Sequence, residues 1–263
     1  MVHVTVDEKR IVTVDDSSMP SPFGVTTDAV RTRLYSFGSP IAATALLWTK
    51  SDAGVWQNTV GGTPATANAQ AAGAWSDQTG LGHHLVSGNA GQYFTNQVNG
   101  KPALRFNGST NTLAALFALP SPFDIFMVLK PISYIADAVL VSGAVGDTFG
   151  VFQHGTSPAL VVYNGAGLAG NNTGLAIGSW ALMETGGDVV GGINAFIKIN
   201  NLATTSGGGL AVADRGGIQI AGHPGPSNWA NIDVAEVIVY NAVLSAPDAT
   251  AVRAYITGRY GFP

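Results

Sequence analysis

Three glutamates, Glu8, Glu184 and Glu236, are the only ones in this chain of 263 residues, and their spacing bears on hydrolytic chemistry. Retaining glycosidases place two carboxyl groups about 5 Å apart, one as acid and one as nucleophile. A strand presents such a pair only when two carboxylates lie a few residues apart on one face. None of these glutamates has another four or five residues away. The sequence therefore predicts that the chain is not an enzyme, and that Glu236 braces the backbone of neighbouring loops.

Aromatic and amide side chains offer a second kind of chemistry, the binding of sugars. An aromatic ring covers the apolar side of a sugar, while amides or main-chain groups bind its hydroxyls, in pockets with few polar groups. Two turn-rich segments, 223–231 and 162–172, carry such residues. The candidate glycan-binding residues are Trp229, Asn228, Asn231, Tyr163 and Asn164. The alternative is that Trp229 folds back over a sheet edge and the asparagines serve left-handed turn positions.

Calcium is the cation that the sequence leaves open, because carboxylates and backbone carbonyls in loops are its usual ligands. The candidate ligands are Asp214, Asp233 and Asp188, whose spacing matches no known calcium loop. No other cofactor is predicted. His83 and His84 are adjacent, so on a strand they point to opposite faces and cannot chelate one ion. They are predicted to belong to a structural loop in which Asp77 forms an Asx-type turn.

Composition limits the class of protein. Charged residues make up 11% of the chain, and 34 glycines interrupt a hydrophobic fraction of 46%, which is typical of many short strands joined by tight turns. A net charge of −4 gives no basic footprint for nucleic acid. No apolar run approaches the roughly 20 residues needed to cross a bilayer. The absence of cysteine excludes disulfides and thiolate metal sites, and residues 1–10 do not read as a signal peptide.

Secondary structure is clearest at the C-terminus. Residues 232–240 form a β-branched run that predicts a buried strand. Ser245 is a candidate N-cap for a helix over 246–260, which carries one apolar stripe and stops at Gly261. The stripe consists of Ala249, Val252, Ile256 and Tyr260. Further strands are predicted near 43–48, 103–106, 112–117, 124–130, 138–142, 148–153, 159–163, 179–184, 192–199 and 217–221.

Two units are predicted, an N-terminal arm over 1–41 and a β domain over 42–263. The arm begins with two short alternating strands, 2–6 and 11–14, around a charged turn, which predicts a hairpin. Two strands alone are marginally stable in water, so the hairpin needs a surface to pack on. That surface is either the edge of its own domain or another protein.

Three segments resemble one family. The segments AWSDQTGLGHHL (74–85), NGKPALRFNGSTNTL (99–113) and IDVAEVIVYNAVLSAPDATAVRAYITGRYG (232–261) occur in the order of motifs in laminin-G-like, concanavalin A-like domains. The resemblance covers residues 42–263. It implies an all-β fold, a two-sheet antiparallel jelly-roll sandwich with one short C-terminal helix.

The entry segment LLWTKSDAGVWQNTVGGTPATANAQAAGAWSDQTG (46–80) resembles that of laminin-G-like domains in bacteriophage structural proteins. This resemblance implies a non-enzymatic virion component at the virion surface, in a tail tip, fibre or head decoration. Residues 1–41 would dock it onto other virion proteins as a homo-oligomer, and the domain would bind host surface glycans, with no nucleic-acid partner and no membrane insertion. A secreted or cell-surface bacterial carbohydrate-binding module is the alternative, followed by a glycan hydrolase.

Overall fold

The structure is a computed structural model that describes residues 3–6, 12–15, 45–146, 148–154, 159–172, 174–188, 194–200, 202, 205–210, 213–225 and 227–262. Its strands are β1 (His3–Val6), β2 (Val12–Asp15), β3 (Ala45–Lys50), β4 (Val55–Trp56), β5 (Gln70–Trp75), β6 (Leu85–Val98), β7 (Lys101–Asn107), β8 (Leu113–Leu116), β9 (Phe123–Pro131), β10 (Val139–Gly143), β11 (Gly150–Gln153), β12 (Leu160–Tyr163), β13 (Leu168–Asn172), β14 (Ala181–Gly187), β15 (Phe196–Ile199), β16 (Thr205–Ser206), β17 (Gly217–Ile220) and β18 (Asn231–Tyr240). Helix α1 (Ala246–Tyr260) follows β18.

Within the described residues, 16 strands form one continuous antiparallel sheet that curls round a core. Its order is β13-β12-β11-β10-β17-β8-β6-β7-β18-β9-β14-β15-β16, with β3 beside β18 and β4 and β5 reached through β6. A mostly β fold with one C-terminal helix is therefore confirmed. The predicted division into two jelly-roll sheets is not confirmed, because the 14-residue strand β6 pairs with both β8 and β7. It thereby links one half of the sheet, from β13 to β8, with the other half, from β7 to β16.

The core forms where alternate side chains of the curled sheet point inward. Leu104, Met127, Val237 and Val239 come from one half and meet Val151, Val162 and Ile218 from the other. The inward positions of β18 are β-branched, which suits packing on a pleated surface. This strand lies between β9 on one side and β3 and β7 on the other, so it positions much of one half of the sheet.

Helix α1 packs on the outer side of that half. Ser245 is its N-cap, since its Oγ accepts a hydrogen bond from the backbone N–H of Asp248 at 3.4 Å. Gly261 ends the helix at φ 74°, a left-handed conformation that glycine adopts at no steric cost. The predicted apolar stripe is buried against Phe126, Val128 and Ile238. The helix therefore covers a face of the sheet rather than one of its edges or ends.

Several strands lie where the sequence predicts loops or nothing. Strand β5 occupies 70–75, where the sequence predicts no strand, and β6 and β13 are not among the predicted strands either. Small residues give β5 a weak intrinsic preference for the strand conformation. Pairing with β6 and β4 supplies what the local sequence lacks, since Ala72, Ala74 and Trp75 are fully buried.

The N-terminal hairpin is present as an antiparallel pair. Strands β1 and β2 pair in the register His3 with Asp15 through Val6 with Val12, as a two-stranded sheet of their own. The rest of residues 1–41 lies outside the described residues, so the predicted docking role of the arm stays a prediction. In the described part of the chain, no helix combines the length and apolar character needed to cross a membrane.

Candidate functional site

The histidine-containing loop is held together by Asp77. Its Oδ1 accepts hydrogen bonds from the backbone N–H groups of Trp48 at 3.1 Å and Thr79 at 3.0 Å, and its Oδ2 accepts from the hydroxyl of Thr79 at 2.6 Å. Burial alone would raise the pKa of Asp77, but these hydrogen bonds and one from His83 outweigh it and lower the pKa. The bond to Thr79, two residues on, is the predicted Asx-type turn. The loop is therefore a structural one.

The histidines also make structural contacts. Nδ1 of His83 lies 2.7 Å from the carbonyl oxygen of Leu46, and its ring stacks on Phe117 at 4.6 Å. Nδ1 of His84 accepts a hydrogen bond from the backbone N–H of Asp77 at 3.1 Å. The His83 ring thus braces the loop against β3 and the segment after β8, and the His84 ring braces it internally through Asp77.

Glu236 accepts hydrogen bonds from four side chains. Its Oε1 accepts from Trp48 Nε1 at 2.7 Å and from the Tyr255 hydroxyl at 2.9 Å. Its Oε2 accepts from the Tyr260 hydroxyl at 2.6 Å and from Arg259 Nε at 3.0 Å. Burial raises the pKa of Glu236, and the four donors oppose that rise. Three of the donors belong to α1, so Glu236 attaches the helix to the sheet. The sequence predicts a different role for it, the bracing of loop backbone.

Two further carboxylates lie under the same helix. Asp124 on β9 and Glu184 on β14 stand on paired strands, and both are buried. Nε of Arg253 donates to Glu184 Oε2 at 2.7 Å. Burial raises the pKa of Asp124 well above its ordinary value, and the charge of Glu184 adds to the rise. This pair was missed from the sequence because the two residues are 60 positions apart and meet only through strand pairing.

The three calcium candidates do not form one site. Asp214 accepts from the backbone N–H groups of Leu119 at 2.8 Å and Gly216 at 2.9 Å, which lower its pKa. Asp188 follows β14, where its carbonyl oxygen accepts from Leu210. Asp233 is buried in β18, with both carboxylate oxygens bound by cationic side chains. Among the described residues, no group of three or more His, Asp and Glu side chains could hold a metal ion.

Each asparagine of the predicted glycan site is hydrogen-bonded within the protein. Asn228 has φ 61° and donates from Nδ2 to the carbonyl oxygen of Asp137 at 2.9 Å. Asn231 donates to the hydroxyl of Ser133 at 2.8 Å. Asn164 is buried, accepts from two backbone N–H groups of its own turn and donates to the carbonyl oxygen of Gly209 at 3.0 Å. The contacts of Asn228 and Asn164 are those of turn-forming amides, the alternative that the sequence left open, whereas Asn231 lies in β18 and binds a side chain.

The two aromatic residues lie on one face of one sheet half. Val139 pairs with Trp229 on one side and with Phe152 on the other, and Phe152 pairs with Val161. Directly paired residues share a face, and Tyr163, two residues beyond Val161, shares it too. The rings of Phe152 and Tyr163 meet edge to face at 6.3 Å.

This outward surface, composed of Trp229, Phe152 and Tyr163, is here named the aromatic face. All three side chains are half-buried, whereas the alternating neighbours Val151 and Val162 point into the core. With strands about 4.8 Å apart, Trp229 and Phe152 are about 10 Å apart across the sheet. Phe152 was not among the predicted site residues. The sequence did hold a signal for it. In the predicted strand 148–153, Phe152 alternates with the inward residues Phe149 and Val151, which indicates that it points outward.

Comparison with solved structures defines the class of fold. The chain resembles a GH54 α-L-arabinofuranosidase, with TM-score 0.60 and 16% identity over 86% of this chain and 61% of that one. It also resembles the Trypanosoma rangeli sialidase in complex with sialic acid, with TM-score 0.56 and 11% identity over 82% of this chain and 33% of that one. A botulinum neurotoxin serotype D/C binding domain matches with TM-score 0.53 and 12% identity, over 81% of this chain and 52% of that one.

These likenesses show the fold alone, since identities are low and the chain spans only a third of the sialidase and about three fifths of the arabinofuranosidase. No family model matches the chain, and no curated protein matches it in sequence. The prediction that the chain is not an enzyme is contradicted, because the solved structures that share its fold include a sialidase and an arabinofuranosidase. The lack of two closely spaced glutamates in the sequence does not exclude catalysis on such a fold.

Proposed function

We propose that this chain binds glycans and that the aromatic face is the binding surface. The observation that carries the proposal is the alignment of Trp229, Phe152 and Tyr163 on one outward face, each half-buried. Rings spaced along a sheet can stack on successive sugar units, while the turn amide of Asn228, which is exposed, lies next to Trp229. Support also comes from the neighbours that act on sugars, a sialidase and an arabinofuranosidase.

A single site of this kind binds weakly. Aromatic stacking contributes about 1 kcal/mol beyond buried area, and each hydrogen bond adds about 1 kcal/mol. A few such contacts give a dissociation constant on the order of 1 mM. Several copies held together would raise the avidity by a factor of about 10² or more.

The test is a glycan array probed with a multimerised form of the chain. Trp229→Ala and Tyr163→Ala are each expected to reduce binding at least about tenfold, since each removes one stacking surface. Leu116→Ala is the matched control, because Leu116 is apolar, 73% exposed and on β8 of the same sheet half. Glycans that bind are also to be assayed for cleavage. If the wild type binds no glycan, or the aromatic variants bind like Leu116→Ala, the aromatic face is not a glycan site.

We infer that the setting is the virion surface of a bacteriophage, with a laminin-G-like domain displayed by an N-terminal arm. The support is the order of the three sequence motifs and the entry segment 46–80. A secreted or cell-surface bacterial carbohydrate-binding module is the second candidate, favoured by the same aromatic face. Mass spectrometry of purified virions separates the two, because only the first places this chain in the particle.

Removal of residues 1–41 tests the arm. The remaining chain is expected to melt at an unchanged temperature, because β3 to α1 contain the core, but to lose self-association and incorporation into particles. Light scattering after size exclusion measures the first loss, and particle composition the second. An unchanged oligomeric state with normal incorporation would mean that the arm merely packs on its own domain.

A further inference from the structure

A polar row crosses the outer face of the other sheet half. Asp233 on β18 pairs with Arg105 on β7 and with Lys130 on β9, and Arg105 pairs with Gln92 on β6. Directly paired residues point to the same side of a sheet. Leu104 and Phe106, the two neighbours of Arg105 on β7, lie in the core. The four paired residues therefore form a row on the side facing away from the core, distinct from the aromatic face.

Asp233 holds two cations side by side. Its Oδ1 accepts from Arg105 Nε at 2.7 Å, and its Oδ2 accepts from Arg105 Nη2 at 2.8 Å. Nζ of Lys130 lies 2.9 Å from Oδ2. One carboxylate cannot neutralise two cations, so the group carries one excess positive charge. Arg105 has five N–H donors and Lys130 three, so both keep donors beyond those that bind Asp233.

Aromatic rings flank the cations. The guanidinium of Arg105 lies over the ring of Phe94, with Cζ 4.3 Å from the ring centroid. Nζ of Lys130 lies 5.2 Å from the ring centroid of Trp180, whose Nε1 donates to the carbonyl oxygen of Gln97 at 3.0 Å. Phe94 and Trp180 are both half-buried. Asp233 and the two rings therefore hold both cations in position.

Solvent reaches this arrangement. The side chain of Arg105 is 32% exposed and that of Lys130 is 16% exposed, while Asp233 is 0% exposed. The apolar positions next to the row, Ala103 and Val128, belong to the cluster that α1 covers. The helix thus covers the adjacent apolar part of this half of the sheet, while the charged row keeps an open side.

We propose that the row of Arg105, Asp233 and Lys130, flanked by Phe94 and Trp180, binds the carboxylate of an acidic sugar such as a uronic acid. Arginine and lysine donors bind carboxylates through charge-assisted hydrogen bonds. The rings offer an apolar surface for the sugar ring. The exposed amide of Gln92, next to Arg105, faces the same side and can bind a hydroxyl. This site is independent of the aromatic face, so either can fail without the other.

The test measures binding of glucuronic acid, glucose and acetate to the full chain by NMR titration. Glucuronic acid is expected to bind, and at least about tenfold more tightly than either glucose, which lacks the carboxylate, or acetate, which lacks the ring. Raising the ionic strength should weaken the binding, because part of it is electrostatic. Equal affinities for glucuronic acid and glucose, or no binding of glucuronic acid, would overturn the proposal. Acetate binding as tightly as glucuronic acid would overturn the sugar assignment.

Lys130→Gln removes the excess charge and leaves the Arg105–Asp233 pair intact. It should weaken glucuronic acid binding about tenfold, whereas Lys198→Gln, on β15 of the same sheet, should not change it. Equal effects of the two variants would contradict the assigned site. If Lys130→Gln does not fold, the three-ligand comparison and the ionic-strength series on the wild type still decide. Trp229→Ala should leave glucuronic acid binding unchanged, which separates this site from the aromatic face.

Discussion

Replacement of Glu236 by alanine is expected to lower the free energy of unfolding by about 3–5 kcal/mol, the range for removing one partner of a buried ionic group. The loss is large because four donors would be left without their acceptor. Two of them, Trp48 Nε1 and the Tyr260 hydroxyl, lie 2.7 and 2.6 Å from the carboxylate, and a buried donor without an acceptor costs free energy that water cannot restore. Urea denaturation followed by tryptophan fluorescence measures the change.

Two comparison variants make this result interpretable. Glu236→Gln keeps one oxygen acceptor of similar size, so it should lose less than Glu236→Ala. Asp137→Asn removes the charge of an exposed carboxylate at φ 63°, a left-handed conformation that asparagine also tolerates, and such surface changes usually stay within about 0.5 kcal/mol. A loss for Glu236→Ala as small as that of Asp137→Asn would show that the carboxylate does not fasten the helix.

The C-terminal elements could be predicted because their signals are local. A β-branched run, an N-cap serine, an apolar stripe and a terminal glycine all act within a few residues. The structure places Ser245, Val252 and Gly261 in those roles. Strands β5 and β6 lack such signals. Their conformation depends on partners distant in sequence, as when Trp75 pairs with Val55 and with Leu85.

The candidate sites show the same limit. Residue types identified Trp229 and Tyr163 as aromatic candidates, and turn chemistry offered the structural role in which Asn228, at φ 61°, and Asn164 are found. Register could not be predicted from the sequence. It places Phe152 between the two aromatic residues, and it turns Asp233 from a candidate calcium ligand into the partner of two cations.

Removal of α1 is the second change with a large expected effect. A chain ending at Tyr240 would expose Phe126, Val128 and Ile238, which the helix covers. Full burial of one large apolar side chain contributes about 1.5–3 kcal/mol, so uncovering several approaches the entire stability of a typical domain. Loss of cooperative melting, with aggregation, is therefore expected in calorimetry and light scattering.

Point variants separate the packing of the helix from the mere shortening of the chain. Ile256→Ala, at a fully buried position of the stripe, should cost about 2–5 kcal/mol through lost burial and the cavity left behind. Thr250→Ala, at an exposed position of the same helix, should change stability by less than about 0.5 kcal/mol. If the shortened chain and Ile256→Ala both melt like the wild type, the helix does not stabilise the sheet. Its burial of the outer face would then be a consequence of folding elsewhere rather than a condition for it.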